Sequence, residues 1–109
     1  MKYNLKIYSD EKGKEPFVEW LEKLPKSDRA RIKVRLDRVK EGNFGDFKNL
    51  NEISELRFNF SSGYRLYFTI VNDIIILLGG NKKSQSKDIE KAKLYKKDYI
   101  TRSKKYEKL

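Results

Sequence analysis

Apolar and polar residues alternate along YNLKIYS at positions 3–9, with Tyr3, Leu5 and Ile7 on one side and Asn4, Lys6 and Tyr8 on the other. This is the pattern of a strand with one buried face. Lys12-Gly13-Lys14 turns the chain, and Pro16 suits the first turn of a helix. Phe17, Trp20, Leu21 and Leu24 then recur at helical spacing until Pro25 ends the stretch. That stripe is a core face rather than a stacking platform. Residues 27–41 fit two periods: Ala30, Ile32, Val34 and Leu36 alternate, while Ile32, Leu36 and Val39 mark one side of a helix. The ends decide for a helix, with Ser27 as N-cap, Asp28 in the first turn, Lys40 near the last, and Gly42-Asn43 beyond it. Its exposed face carries Arg29, Lys33, Arg35 or Arg31, and Lys40. GNFGDFKNL, residues 42–50, reads as a packed loop because two phenylalanines interrupt its glycines.

ELRFNFSSGYRLYFT, residues 55–69, reads as a hairpin whose register fixes where two arginines point. A three-residue loop, Ser61-Ser62-Gly63, sets Phe60 opposite Tyr64, Phe58 opposite Leu66 and Leu56 opposite Phe68. One face is then apolar, and the other carries Glu55, Arg57, Asn59, Arg65, Tyr67 and Thr69. A two-residue loop would bury Arg65 among aromatic side chains, at a cost of several kcal/mol. Asn72-Asp73 makes the next turn, and IIILLGG at 74–80 is the unbroken apolar run of a strand covered on both sides. After a polar loop, Ser86 caps a last helix with Ile89, Ala92, Tyr95 and Tyr99 along one side, and TRSKKYEKL from about residue 101 forms a basic tail that extends the helix or frays. The order strand, helix, helix, three strands, helix predicts an α+β domain over residues 1–109, with helices on one face of a sheet. The other face is partly open and carries Arg57 and Arg65.

Composition narrows the chemistry. With 26 Lys and Arg against 16 Asp and Glu, the chain carries a net charge of +10, which points to a polyanionic partner. The plain alternative is a highly soluble, solvated surface. No cysteine or histidine is present, so disulfides, thiolate nucleophiles and the usual zinc ligands are excluded. The acids are scattered, and no metal or other cofactor is expected. The longest apolar run, Ile74 to Leu78, is far too short to span a bilayer, and the N-terminal residues lack a signal-peptide core. A cytoplasmic protein without a membrane partner is expected.

FVEWLEKLP at 17–25, GNFGDFKNL at 42–50, ELRF at 55–58, GYRLYF at 63–68 and LLGGNKKSQSKDIEKA at 77–92 together resemble the RelE-type toxins of bacterial toxin–antitoxin pairs. Within them the match is to the addiction-module killer branch of the RelE/HigB-like superfamily. The resemblance covers roughly residues 3–95 and implies a small twisted, mainly antiparallel sheet with two N-terminal helices and a C-terminal helix. It also implies a ribosome-dependent endoribonuclease that cuts translated messenger RNA and is held inactive by a cognate antitoxin, a small helix-turn-helix protein. The chain has Asn81 where the branch usually has Asp, and Lys87-Asp88-Ile89 where many relatives carry a Tyr or His proton donor. The resemblance therefore assigns no general acid.

Metal-free cleavage of RNA needs the 2′-hydroxyl deprotonated, the phosphorane charge held and the leaving 5′-oxygen protonated. On the hairpin's polar face, Arg57 and Arg65 can converge on one phosphate, with Glu55 as a conceivable but weak base beside an arginine. Lys82 and Lys83 can grip a neighbouring phosphate or supply a proton. Tyr67, Asn59 and Lys48 are candidate RNA contacts. Each has a bland reading: Glu55, Arg57 and Arg65 as a surface ion-pair network, Lys82-Lys83 as a solvated loop, Tyr67 as cover for the sheet. A second function class also stays open, a basic RNA-binding module without catalysis.

Overall fold

The strand Asp73–Asn81, β5, organises the molecule because its residues are apolar on both faces and almost all buried. Along the chain the elements are β1 (Leu5–Ile7), α1 (Pro16–Glu22), α2 (Lys26–Lys40), β2 (Phe47–Asn49), β3 (Ser54–Arg57), β4 (Tyr64–Val71), β5, a 3-10 turn (Lys82–Ser84) and α3 (Gln85–Glu107). This computed structural model describes residues 2–107. The stretch TRSKKYE continues α3, while Lys108 and Leu109 of the expected tail lie outside the described residues. The strands form one sheet in the order β1-β5-β4-β3-β2, antiparallel except where β1 runs parallel to β5.

Helices cover both faces of the sheet, not one. Under α1 and α2, the side chains of Phe17, Ile32, Val39, Leu56, Leu66, Phe68, Ile74 and Ile76 form one core. On the opposite side Ile89, Ala92, Tyr95 and Tyr99 of α3 pack on Tyr8, Tyr67, Ile75, Leu77 and Leu78. The apolar stripe expected along the last helix is thus the one that closes the face expected to be open. Tyr8, assigned to the polar side of β1, is buried there and stacks on Tyr95 at 4.9 Å, whereas Ile7 is exposed. A bulge between Tyr67 and Phe68 in the β4–β5 pairing turns both Leu77 and Leu78 toward α3. Beyond it, Gly79 faces Trp20 of α1 and Gly80 faces Asp88 of α3. A Cβ on Gly79 would overlap the indole ring, and one on Gly80 would collide with the Asp88 carboxylate.

The hairpin register differs from the sequence expectation by two residues. Leu56 pairs with Leu66 and Arg57 with Arg65. Phe58 N donates to Tyr64 O at 3.0 Å, so residues 59–63 form the loop. The reason is tertiary. Asp28, buried at the start of α2, accepts from Ser61 Oγ at 2.8 Å and from Tyr64 Oη at 2.6 Å, pulling the loop toward the helix. Phe60 leaves the strand and sets its ring edge-on to Phe58 and Tyr64. A shift of two keeps the pleat in phase, so the faces assigned to Leu56, Phe58, Leu66 and Phe68 survive.

Other local expectations also change. The stretch 42–50 contains the edge strand β2, whose three residues are all exposed and so carry no alternating signal. It is held by its pairing to β3 and by Arg35, whose guanidinium donates to the carbonyl oxygens of Phe44, Asp46 and Arg57. Neither Ser27 nor Ser86 caps a helix. Pro25 precedes α2 without a side-chain cap, and Asn81 Oδ1 accepts from the backbone N–H of Lys83 and Ser84 to open the turn into α3.

Gly79→Ala should be the most damaging single methyl in the sheet, costing about 3 kcal/mol or preventing folding. At Gly13, where only a positive φ of 81° opposes a side chain, alanine should cost about 1 kcal/mol. Phe58→Ala removes a ring from the α2-side core and should cost about 3–5 kcal/mol. Urea denaturation midpoints of the three variants should rank accordingly.

Candidate active site

Cross-strand pairing sets two rows of side chains on the α3 side of the sheet. Arg57, Arg65 and Gly80 form one row, and Lys48, Glu55, Tyr67 and Leu78 the other. Like charges directly opposite each other, as Arg57 and Arg65 are, repel and need compensation. Glu55 supplies it. Its carboxylate is fully buried, with Oε1 2.9 Å from Arg57 Nε and 4.0 Å from Arg65 Nε, and Oε2 accepts from Gln85 Nε2 at 2.8 Å. The hydrogen bond to Glu55 raises the Arg57 pKa further, so that side chain stays charged.

The two arginines differ in exposure. The side chain of Arg57 is 33% exposed, at the end of β3. That of Arg65 is 13% exposed, with Nη1 donating to the carbonyl oxygens of Gly63 and Tyr64 at 3.1 Å and a buried Nε that has no hydrogen-bond partner among the described residues. Lys82 and Lys83 are exposed in the 3-10 turn beside this row. Lys82 shares a corner with Arg65: a Cβ on Gly63 would lie 3.6 Å from Lys82 Cβ and 3.7 Å from Arg65 Nη1. The rim of the site is thus cationic, and its floor is a carboxylate.

Two sequence-derived roles change with this geometry. Glu55 has no surface through which to reach a substrate hydroxyl; it is the buried counter-charge that holds two guanidiniums together. Tyr67 is fully buried under α3, so no base can stack on it. Burial, then the Glu55 charge, pushes its phenol up, and its hydroxyl has no hydrogen-bond partner among the described residues. Lys48 is exposed on the edge strand opposite Glu55, on the same face as the arginines. Asn59 is exposed in the hairpin loop and lines a groove against α2 that Arg57 also lines.

The site also uses residues that periodicity did not single out. Gln85 completes the shell of Glu55, and Ser84 Oγ donates to the Asp88 carboxylate, which is buried against Gly80. Asp28 anchors the loop from which Arg65 emerges. Among the described residues no group of three or more acids forms a candidate metal site.

Residues 19–106 match the family model of the phage-derived Gp49-like proteins (DUF891). The chain belongs to this family, which is of the RelE/HigB toxin type. A protein of Haemophilus influenzae described as uncharacterized is 44% identical to this Gp49-like chain over 82 residues, which is 72% of the chain and 83% of the relative. Among solved structures, a free-state double-arginine mutant of the Escherichia coli toxin RelE matches with a TM-score of 0.57 at 18% identity, covering 94% of the Gp49-like chain and 98% of RelE. The α+β architecture expected from the order of elements is therefore the RelE fold, with the mainly antiparallel sheet described above.

Hydrogen bonds from Tyr64 and then Ser61 hold the Asp28 carboxyl below its ordinary range. A carboxyl depressed on folding stabilises the fold above its unfolded pKa of about 3.9 and loses that contribution as pH falls through the lower folded value. Thermal melts of the wild type should therefore lose stability from about pH 4 downward more steeply than those of Asp28→Asn. Curves that stay parallel across that range would count against the anchoring role.

Proposed function

We propose that this protein is the toxin of a toxin–antitoxin pair and acts in the cytoplasm as a ribosome-dependent endoribonuclease on translated messenger RNA. The observation that carries the reading is the Arg57–Arg65 pair, two guanidiniums brought opposite each other over a buried carboxylate, with exposed lysines at the rim. Such a pair binds a dianionic phosphorane more strongly than a singly charged phosphodiester, and that difference is what lowers a barrier. Arg57, the more exposed, meets a non-bridging oxygen. Arg65 is steadied by the loop carbonyls and completes the clamp. Lys82 and Lys83 hold the adjoining phosphate, and either can protonate the departing 5′-oxygen. Lys48 guides the strand across the face.

Glu55 acts through the arginines and takes no proton from substrate. The chain has no histidine, and the exposed carboxylate whose charge reaches the arginines is that of Asp46, so alignment and activation of the 2′-hydroxyl fall in part to the ribosome that presents the message. The family, the RelE fold and the net charge of +10 support this reading over a binding module without catalysis. A cognate antitoxin follows from the same reading, with acidic residues to cover the basic rim and apolar anchors to slow release.

Expression without the antitoxin should arrest growth, and cleavage should fall on translated messages and spare naked RNA. Arg57→Ala should lower cleavage about 100-fold and also lower the melting temperature, because it leaves the buried Glu55 carboxylate without its nearest cation. Arg65→Ala should lower it as much and also loosen the hairpin loop, seen as a lower melting temperature. Equal cutting of naked and ribosome-bound RNA would exclude ribosome dependence. Full activity in both variants would remove the arginines from the mechanism.

A further inference from the structure

Beside Arg57, at one end of the arginine row, a groove of about 310 Å³ runs between α2 and the loop at 59–63. Its helical wall is one stripe of α2: Arg31, Val34, Arg35 and Arg38, at i, i+3, i+4 and i+7. Asn59 and Phe60 form the other wall, and Arg57 closes the end toward the candidate active site. Three features set this groove apart from an ordinary basic surface. The Arg31 guanidinium lies 3.9 Å from the centre of the Phe60 ring, so an aromatic plane and a cation already stack at its mouth. Val34 is 50% exposed between two arginines, an apolar surface in a cationic setting. Asp46 is the one acid among the lining residues, and Arg38 makes no ion pair among the described residues.

Arg35 is committed to the fold through its bonds to the Phe44, Asp46 and Arg57 carbonyls. Arg31 and Arg38 make no such carbonyl bonds among the described residues, and seven residues of helix separate them by about 10 Å. We propose that this groove is a second RNA subsite, where one unpaired nucleotide lays its base against Phe60, Arg31 and Val34 while its flanking phosphates meet Arg31 and Arg38. Stacking is indifferent to base identity, and the cations read only the backbone, so the subsite adds affinity without sequence preference. Because Arg57 lines both places, the strand in the groove is continuous with the strand at the cleavage site. The inference rests on the nuclease reading for the identity of that strand.

The test uses purified full chain and oligoribonucleotides with every 2′-hydroxyl methylated, so that none can be cut. A trinucleotide reaches the arginine pair only, whereas a nonanucleotide also fills the groove. The nonanucleotide should bind the wild type about tenfold more tightly. Arg38→Glu and Phe60→Leu should each abolish most of that gain and leave trinucleotide binding unchanged, and Arg38→Glu should also reduce the salt slope for the longer probe by about one. Arg38 is exposed on α2, so its variant keeps the test decisive even if Phe60→Leu disturbs the loop.

No length gain in the wild type, or a gain that survives both substitutions in folded protein, would overturn the proposal. So would variants that bind both probes normally but lose an acidic protein partner, which would make the groove a protein interface. If the gain behaves as stated while translated messages remain uncut, the nuclease reading fails and the subsite stands. If messages are cut and the gain is insensitive, the reverse holds.

Discussion

A carboxylate that folding removes completely from water must be matched, and the matching of Glu55 shapes the whole face on which function is proposed. β3 and β4 place Arg57 and Arg65 opposite each other, an arrangement that two cations resist. The Glu55 charge between them turns that repulsion into a stable triad, and Gln85 of α3 satisfies the other carboxylate oxygen. The triad therefore couples three elements: two strands and the helix that covers them. Only the ends of the guanidiniums and the neighbouring lysines remain for a ligand, so the same charge that stabilises the sheet limits the site to a narrow cationic rim.

The cover itself depends on the strand beneath. β5 can lie between α1 and α3 because Gly79 and Gly80 present no side chain where Trp20 and Asp88 press from opposite sides. The bulge just before them changes the phase of the strand, so that each glycine meets the correct helix. β5 then ends at Asn81, whose side chain opens the turn carrying Lys82 and Lys83. The packing of the core thus fixes, within a few residues, where the cationic loop stands relative to Arg65.

The hairpin loop is held from the other side of the sheet. Asp28 of α2 fixes Ser61 and Tyr64, the chain returns through Gly63, and the carbonyls of Gly63 and Tyr64 steady Arg65. α2 therefore steadies Arg65 through the loop. Its Arg35 likewise bonds the Arg57 carbonyl while the rest of its basic stripe faces solvent. One helix thus sets both the rear of the candidate site and the groove beside it.

The sequence alone determined the period of each long element, the double burial of β5 and the partition of the hairpin into an apolar face and a face bearing Glu55, Arg57 and Arg65. These follow from spacing, because a pleat alternates and a helix repeats regardless of what packs against it. The order of elements and the scattered motifs were likewise enough to reach the RelE-type fold. Tertiary structure decided the rest. Nothing in the local pattern of 55–69 shows that Asp28, about thirty residues earlier, captures Ser61 and Tyr64 and moves the register by two. Nor could periodicity show that the apolar side of α3 lies over the polar row of the sheet, which turned Glu55 from a candidate base into a buried counter-charge and removed Tyr67 from reach. β2 escaped notice because an exposed edge strand is specified by its partner's hydrogen bonds rather than by its own side chains. Local periodicity assigns a residue to a face, but whether that face meets water or a helix depends on segments distant in sequence, and the chemistry of a charged group depends on which it meets.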